Sequence, residues 1–280
     1  MNINIDQVCQ DLYDGTNFPG VWHGYDWWGK ASDFHEHPSL IWNTIQQIFD
    51  VSKPLQIVEV GRCSGSSTML FSTIAQHTGG YFKSFDISDW NRNHIESINQ
   101  KYGINNKYYN YIVDDSLNAE KHLDPNVKID ILFLDGLHSY EQIKNETLLF
   151  SKFLNKTSLV LFHDTVWAFD AVMGWIHDYL ANSNVTYCKH TLTSHPQCKY
   201  CERFNKPGLM HGRPTMSPNG RPNFQSPYDK IEESPHFNTL TDAFLRWGEV
   251  SFEEAIQRKL PLVFTNIEAC CGMGMLVTHG

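Results

Sequence analysis

The feature that most constrains the fold of this chain is a regular alternation of short apolar runs with helix-length segments between residues 51 and 181. The apolar runs are LQIVEV (55–60), YFKSFDI (81–87), YYNYIVDD (108–115), IDILFLD (129–135) and SLVLFHD (158–164). Most of them are apolar on both faces, which is typical of strands buried between two helical layers. The alternation therefore predicts an α/β fold, with a mostly parallel sheet and helices on both of its faces.

Three further regions surround this predicted sheet. After a helical segment, NVTYCKHTL has the pattern of a sixth strand, and the chain ends in ACCGMGMLVTHG, which could be a last strand. The segment between them is rich in Pro, Gly, Asn and His, and it is too long for an ordinary loop. We therefore predict an N-terminal extension or lid at 1–50, a core at 51–193 and 269–280, and an insertion over the active site at 194–268.

Charge and composition exclude several classes of partner. The chain has 22 Lys and Arg residues against 31 Asp and Glu residues, a net charge of −9, whereas nucleic-acid binding depends on basic side chains. No apolar run approaches the roughly 18 residues that cross a bilayer, and the start MNINIDQVCQDLYDG lacks the basic region of a secretory signal. Seven cysteines in such a chain indicate thiols or metal ligands. We expect a cytoplasmic protein without nucleic-acid or membrane partners.

The strongest local motif is VEVGRCSGSST, at residues 58–68, where a strand meets a helix. Gly61 and Gly65 would let a ligand approach the backbone, and the N-terminus of the helix offers free N–H groups. The G-x-x-x-G spacing differs from the dinucleotide-binding fingerprint. Glu59, shortly before the first glycine, suits a ligand with an ammonium group better than one with a pyrophosphate. A glycine turn that binds no ligand is the alternative.

Acidic side chains end four more of the predicted strands. Ligands of open α/β sheets bind outside the carboxyl ends of the strands, so these carboxylates should converge on one crevice. The first of them, Asp86, could accept hydrogen bonds from ribose hydroxyls, as the corresponding acid does in dinucleotide-binding folds. Any one of them taken alone could instead cap the next helix. The four residues are Asp86, Asp115, Asp135 and Asp164.

Together these motifs resemble those of the class I S-adenosylmethionine-dependent methyltransferases, over roughly residues 50–185. VEVGRCSGSST is similar to their first motif, FDI to their acidic loop, and VDDS to their Asp-Ser pair on the adenine side. LDGLHSY and LFHDT look most like the branch that contains macrolide-sugar O-methyltransferases and cephalosporin-hydroxylase-like proteins. The resemblance implies a Rossmann-like sheet of seven strands, S-adenosylmethionine as the cofactor, and a homo-oligomer as in many related enzymes.

The resemblance also implies which residues would bind the cofactor. Glu59 would meet the ammonium group of the methionine part, and Asp86 would bind the ribose. Asp115 and Ser116 would lie at the adenine, and the residues of the glycine loop would surround the cofactor. The full predicted set is Glu59, Gly61, Ser64, Gly65, Asp86, Asp115, Ser116 and Asp135.

In that branch, the Asp of a DGxH motif and an acidic pair ending the next strand hold a divalent metal, and the DGxH histidine acts as the base. Asp135, His138 and Asp164 match those positions and are the predicted catalytic residues. His163 stands where the branch has a carboxylate, so it either points away or shifts the metal preference from Mg toward Mn, Fe, Ni or Zn. The predicted metal ligands are Asp135, His163 and Asp164, for Mg or Mn. For His138, a cap of the following helix is the alternative.

The cysteines form a second group of interest. Cys198 and Cys201 make a CxxC pair after the sixth predicted strand, and Cys270 and Cys271 precede the last one. The resemblance makes those strands antiparallel neighbours, which would bring the two pairs to the same end. Four thiolates there could close a tetrahedral structural zinc site, in which a histidine could replace one cysteine. Reduced cysteines without a ligand are the alternative.

These inferences predict a metal-assisted O-methyltransferase that acts on a sugar or another polyhydroxylated small molecule. Methyl transfer from a sulfonium is an in-line displacement, so catalysis rests on positioning and on activation of the nucleophile. A metal lowers the pKa of a hydroxyl that it binds, and His138 can take the proton. Two alternatives stay open: methylation at nitrogen or on a phenol without a catalytic metal, and a non-catalytic methyltransferase-fold module that binds a protein.

Overall fold

The computed structural model describes residues 3–14, 37–89, 91–165, 168–181, 186–187, 252–260, 262–267 and 272–279. The chain divides into two compact units, each with its own internal contacts. The first comprises Met1–Gly136 and Phe150–Ser158, and the second Leu137–Leu149 and Leu159–Gly280. Within the described ranges, every helix is too short or too polar to cross a lipid bilayer.

The first unit is built on parallel strands. These are β1 (Gln56–Val60), β2 (Tyr81–Asp86), β3 (Tyr109–Val113) and β4 (Ile129–Leu134), in the spatial order β3-β2-β1-β4. All three pairings among them are parallel. The helices of this unit are α1 (Ile5–Asp14), α2 (Pro38–Ile48), α3 (Ser66–Thr78) and α4 (Arg92–Lys101), with 3-10 turns at Asn106–Tyr108 and Ser116–Lys121.

The core of the first unit follows from the two-sided apolar pattern of its central strands. Every residue of β4 is buried, as the continuous run IDILFL predicts. Phe71 of α3 packs on Phe82 of β2 and on Phe133 of β4, with ring centroids 6.0 and 5.3 Å apart. Burial of one such ring contributes about 2 kcal/mol to stability. Helix α3 is thereby fixed over the sheet, which sets the position of its N-terminus.

The N-terminal residues that the structure describes are helical and belong to this core. Helix α1 packs against α2 and α3, with Val8 and Leu12 completely buried. The hydroxyl of Tyr102, just after α4, also donates to the Asp11 carboxylate of α1. These contacts hold α1 against the α3 side of the unit. The Trp- and His-rich part of the predicted lid lies at 15–36, outside the described residues.

The second unit contains most of the remaining elements. Its strands are β5 (Leu154–His163, which begins in the first unit), β6 (Thr186–Tyr187), β7 (Leu262–Ile267) and β8 (Met273–Thr278), in the order β5-β8-β7-β6. The helices are α5 (Tyr140–Ser151), α6 (Phe169–Ala181) and α7 (Phe252–Gln257). Strand β7 pairs parallel with β6 and antiparallel with β8. The indole of Trp175 in α6 donates to the Thr147 hydroxyl in α5 at 3.0 Å, which joins these two helices.

The predicted α/β class and the mostly parallel Rossmann-like sheet are confirmed, with one strand assigned differently. Leu262–Ile267 was predicted to belong to the insertion at 194–268, but it forms β7 and pairs with the last strand. The sheet therefore resumes at Leu262 rather than at residue 269. The sixth predicted strand is described only as Thr186–Tyr187, which pairs with β7. Few residues separate β7 from β8 in sequence, so this pairing has a small entropic cost of loop closure. Pairing 184–192 with β8 would close a far longer loop and cost more. Residues 188–251 lie outside the described part.

Candidate functional site

The loop between β1 and α3 takes the glycine-dependent shape that its motif predicts. Gly61 and Gly65 have φ values of +89° and +93°, which residues with a Cβ rarely adopt. A Cβ on Gly61 would lie 2.1 Å from the carbonyl oxygen of Asp135, and one on Gly65 would lie 2.5 Å from Ile95 Cγ1. The Gly61 N–H also donates to the Phe85 carbonyl at 2.8 Å. Close packing of backbone against its neighbours therefore requires both glycines.

Glu59 lies completely buried beneath this loop, and hydroxyl groups surround its carboxylate. Oε1 accepts a hydrogen bond from Ser67 at 2.5 Å, while Oε2 accepts from Thr68 at 2.7 Å and from Ser84 at 2.5 Å. Burial raises the pKa of Glu59 to about 7, against the opposing effect of these hydrogen bonds. The carboxylate thus ties α3 and β2 to β1. Oε1 retains a further lone pair, but the carboxylate is completely buried, so its direct contact with a ligand's ammonium group, which the resemblance implies, stays a prediction.

The raised pKa of Glu59 predicts that the protein loses stability as the pH rises. The unfolded chain releases this proton near pH 4.5 and the folded chain near 7, so the folded state holds the extra proton between these values. Its stabilising effect is complete below about pH 4.5 and is lost as the pH rises through 7. At about 1.4 kcal/mol per pH unit, the free energy of unfolding should fall by about 3 kcal/mol over that window. Urea unfolding at pH 5 and pH 8 measures the change.

Glu59→Gln is the matched variant for this pH dependence, because glutamine has the same shape and does not titrate. Its urea midpoint should change much less between pH 5 and pH 8 than that of the unmodified protein. If the urea midpoint changed equally with pH in the two proteins, another group would control the pH dependence of stability.

Asp86, at the carboxyl end of β2, has its carboxylate held by two backbone donors. Oδ1 accepts from the N–H of Ser88 and Oδ2 from the N–H of Arg62, both at 2.9 Å. The side chain is half-buried, and each oxygen retains a further lone pair that can accept a hydrogen bond. The next residue, Ile87, is 81% exposed. This strand end therefore presents a fixed carboxylate beside an exposed apolar side chain.

The end of β3 lies beside the end of β2, since the Asp114 N–H donates to the Asp86 carbonyl at 3.0 Å. Asp115 is exposed and caps the 3-10 turn that follows, and Ser116 is buried as the first residue of that turn. Of these two neighbouring aspartates, Asp114 is the one whose carboxylate another side chain contacts: its Oδ2 lies 2.7 Å from His122 Nε2. Hydrogen bonding from His122 lowers the pKa of Asp114. The capping alternative thus describes Asp115, and a ligand contact by this residue stays a prediction.

Asp135 follows β4 in the first unit and continues the ladder beyond that strand, because its N–H donates to the Val60 carbonyl at 2.9 Å. Its side chain is half-buried. Ser64, in the glycine loop, is also half-buried. The first unit therefore brings the loop, Asp86 and Asp135 to the same end of the sheet, because β1, β2 and β4 are parallel neighbours.

In the second unit, one carboxylate lies against two buried histidines. His138 Nδ1 is 3.1 Å from Asp164 Oδ2, and His163 Nδ1 is 3.3 Å from Asp164 Oδ1. Asp164 directly follows β5 and has a φ of +58°. For a residue with a Cβ this conformation costs on the order of 1–3 kcal/mol, and such residues concentrate at functional sites. His138 and Asp164, two of the predicted catalytic residues, are thus brought together.

Sequence reasoning missed Arg62, a buried side chain within the glycine loop that makes several contacts described below. Its only sequence signal was a charged residue among small ones. Reasoning from sequence also overlooked the anchoring role of Asp114 at the end of β3. The four predicted zinc ligands lie outside the described residues: Cys198, Cys201, Cys270 and Cys271.

Comparisons with known proteins identify the fold. Residues 58–165 match a family model described as a methyltransferase domain. One similar structure is that of the O-methyltransferase TomG from Streptomyces achromogenes, which is involved in tomaymycin synthesis and was solved in complex with S-adenosylmethionine (SAM). TomG is 10% identical to this chain, the match covers 99% of this chain and 92% of TomG, and the TM-score is 0.50. The SAH-bound methyltransferase PaMTH1 from Podospora anserina is 13% identical, with 98% and 88% covered and a TM-score of 0.49. No curated protein matches the sequence. The likeness to TomG shows that this chain has the class I methyltransferase fold.

Proposed function

We propose that this protein is a SAM-dependent O-methyltransferase that acts, with a divalent metal, on a hydroxyl of a sugar or another polyhydroxylated small molecule. The observation that carries the proposal is the buried pair of His138 and Asp164, with Nδ1 3.1 Å from Oδ2. When Nδ1–H donates to the carboxylate, the other nitrogen, Nε2, carries the lone pair that can accept a proton. A histidine oriented by a carboxylate in this way is the usual form of a general base.

The methyl donor would bind at the carboxyl ends of β1, β2 and β3. The Asp86 carboxylate is held in place by two N–H groups and can still accept hydrogen bonds from ribose hydroxyls. The exposed side chain of Ile87 would offer an apolar surface to the adenine, and Asp115 and Ser116 come shortly after the end of the neighbouring strand β3. Glu59 would support the loop from below, since it is completely buried and accepts hydrogen bonds from hydroxyl groups of α3 and β2.

The side chains around the end of β5 fit a divalent metal. In the second unit, Asp164 and His138 offer an oxygen and a nitrogen atom that could bind such an ion, and His163 faces the same carboxylate. We assign the metal to Asp164, whose oxygens suit Mg or Mn, and the proton to His138, while the role of Asp135 as a further ligand stays a prediction. Metal bound at His138 Nε2 is the competing arrangement, because one nitrogen cannot serve both roles. When bound, the ion would supply positive charge that lowers the pKa of a nearby hydroxyl.

In the proposed reaction, the acceptor oxygen attacks the methyl carbon of the donor in line with the departing sulfur. The O–C bond forms as the C–S bond breaks, and S-adenosylhomocysteine leaves. The hydroxyl proton passes to Nε2 of His138, whose imidazolium is stabilised by Asp164. The protein's other contribution is to hold the two reactants at the right distance and angle.

Donor binding is the first test of this proposal. We expect S-adenosylhomocysteine to bind the unmodified protein in calorimetry, and Asp86→Ala to weaken that binding about tenfold or more, because a hydrogen bond to a charged group is worth roughly 1.5–3 kcal/mol. Asp50→Asn, at an exposed carboxylate before β1, is the control and should bind like the unmodified protein. If the donor product neither binds nor raises the melting temperature, the non-catalytic module becomes the better description.

The acceptor and the metal need a second experiment. Methyl transfer from labelled donor should be measured with sugar, phenol and amine acceptors, before and after treatment with EDTA. The proposal expects transfer to a sugar hydroxyl that stops with EDTA and returns with Mg²⁺ or Mn²⁺. Transfer to a phenol or an amine that continues in EDTA would support the alternative without a catalytic metal.

A further inference from the structure

The side chain of Arg62 is almost completely buried, with only 3% of it exposed, which is unusual for an arginine. Nη1 donates to the carbonyls of Ser84 at 2.7 Å and Ile112 at 3.1 Å, so it joins the carboxyl-terminal parts of β2 and β3. Nη2 donates to the carbonyl of Ser88 at 3.1 Å, beyond the end of β2. The guanidinium also lies 5.4 Å from the ring centroid of Tyr111. These contacts fix the loop that follows β1 onto the next two strands.

Arg62 is connected to both groups that hold the Asp86 carboxylate. Its own N–H is the donor to Oδ2. The donor to Oδ1 is the N–H of Ser88, and the carbonyl of that same Ser88 accepts from Arg62 Nη2. The Arg62 side chain thus sets the distance between the two N–H groups that donate to the Asp86 carboxylate.

We propose that Arg62 is a positioning residue that holds the Asp86 carboxylate in the orientation needed to bind the ribose of the methyl donor. The inference rests on the proposed function, since it assumes that Asp86 binds the donor. Arg62 itself need not touch the donor, and it acts through the peptide groups at positions 62 and 88. Lysine cannot replace it, because a single ammonium group cannot reach three carbonyls that a planar guanidinium meets together.

Arg92 provides a matched control on the same side of the sheet. Both arginines pair with Asp89. Arg92 Nε lies 2.8 Å from Asp89 Oδ1, and Arg62 Nη2 lies 3.6 Å from the same oxygen. Arg92 also donates to a backbone carbonyl of β3, that of Tyr111, at 2.6 Å. Within the described part of the chain, the side chain of Arg92 contacts Asp89 and Tyr111 and neither Asp86 nor Ser88. It therefore shares the charge and the neighbourhood of Arg62 without the connection to the carboxylate.

The test is calorimetric binding of S-adenosylhomocysteine by the full-length protein. We expect Arg62→Lys to weaken binding about tenfold or more, and to raise KM for the donor while kcat stays within about threefold. Arg92→Lys should stay within about twofold in both measurements. A purely structural role would lower the melting temperature without changing the dissociation constant, and that result would overturn the proposal. Arg62→Gln, which keeps a neutral NH2 group with two N–H donors, serves if the lysine variant does not fold.

A double-mutant cycle decides whether Arg62 acts through Asp86. If it does, Arg62→Lys should change binding by less than twofold when Asp86 is already alanine. Losses that multiply in the double variant would overturn the inference. An unmodified protein that does not bind S-adenosylhomocysteine would contradict the proposed function itself, whereas normal binding by Arg62→Lys would contradict only the role of Arg62.

Discussion

Replacement of Gly61 by alanine is expected to lower the free energy of unfolding by about 3 kcal/mol or more and to abolish donor binding. The new Cβ would lie 2.1 Å from the carbonyl oxygen of Asp135 and 2.6 Å from its carbon. Both atoms belong to the backbone, so no side-chain rotation can relieve the overlap, and overpacking of this kind typically costs 1–3 kcal/mol. The φ of +89° adds roughly 1–2 kcal/mol for a residue with a Cβ. Urea unfolding and calorimetry with S-adenosylhomocysteine measure the two effects.

Gly79→Ala is the matched control for this substitution. Gly79 ends α3 with a φ of +71°, and a Cβ there would meet nothing within 4 Å. Alanine at this position should therefore lower the free energy of unfolding only by the cost of the positive φ, about 1 kcal/mol. Donor binding should stay unchanged. Equal losses of stability in the two variants would show that the approach of Asp135 to Gly61 is not the deciding constraint.

The second large effect is expected for Asp164→Asn, which should reduce methyl transfer by about a thousandfold while donor binding stays within about twofold. Asparagine keeps the size of the side chain and tolerates the left-handed φ of +58° that this position requires. It removes the negative charge that faces His138 Nδ1 at 3.1 Å, and its amide can favour the wrong tautomer of the ring. Loss of an oriented general base typically costs 10²–10⁴ in rate. Steady-state kinetics with the acceptor found in the transfer assay measure the change.

Glu141→Gln removes a carboxylate charge from the same unit without touching the proposed site. Glu141 lies on α5, is largely exposed and pairs with Lys144 at 3.5 Å, and exposed pairs of this kind contribute little. Its methyl-transfer rate should stay within about twofold of that of the unmodified protein. If Asp164→Asn kept more than a tenth of the activity, the pair with His138 would not be the base that the proposed mechanism requires.

Much of the fold was predictable because strands with continuous apolar runs leave a local signal. The run IDILFL became β4 with all six residues buried, and LQIVEV became β1, which begins one residue later, at Gln56, and ends at the same residue. Strand β5 begins at Leu154, four residues before its predicted start, since its first residues are polar and partly exposed. Strand β7 was missed because a run of six residues is too short for periodicity to distinguish a strand from a helical segment, and it closely follows α7.

The candidate site was predictable in position and only partly in detail. The glycine loop and Asp86 lie at the carboxyl ends of parallel strands, where the order of elements along the chain already placed them. Asp115, by contrast, is exposed and caps a turn, and Asp114 beside it carries the side-chain contacts. Two adjacent aspartates are equivalent in sequence, and the positions of His122 and Asn118 in the fold distinguish them.

By itself, the sequence determined which strands would be buried, where the chain would turn at glycine, and which acids would end the strands, because these properties depend on neighbours along the chain. The tertiary structure decided what each buried polar group contacts. Ser84 reaches Glu59 from 25 residues away, and Arg62 reaches the Ile112 carbonyl from 50 residues away. A buried charge is tolerated only where such partners satisfy it. Those partners come from different strands and helices, so no local pattern in the sequence reveals them.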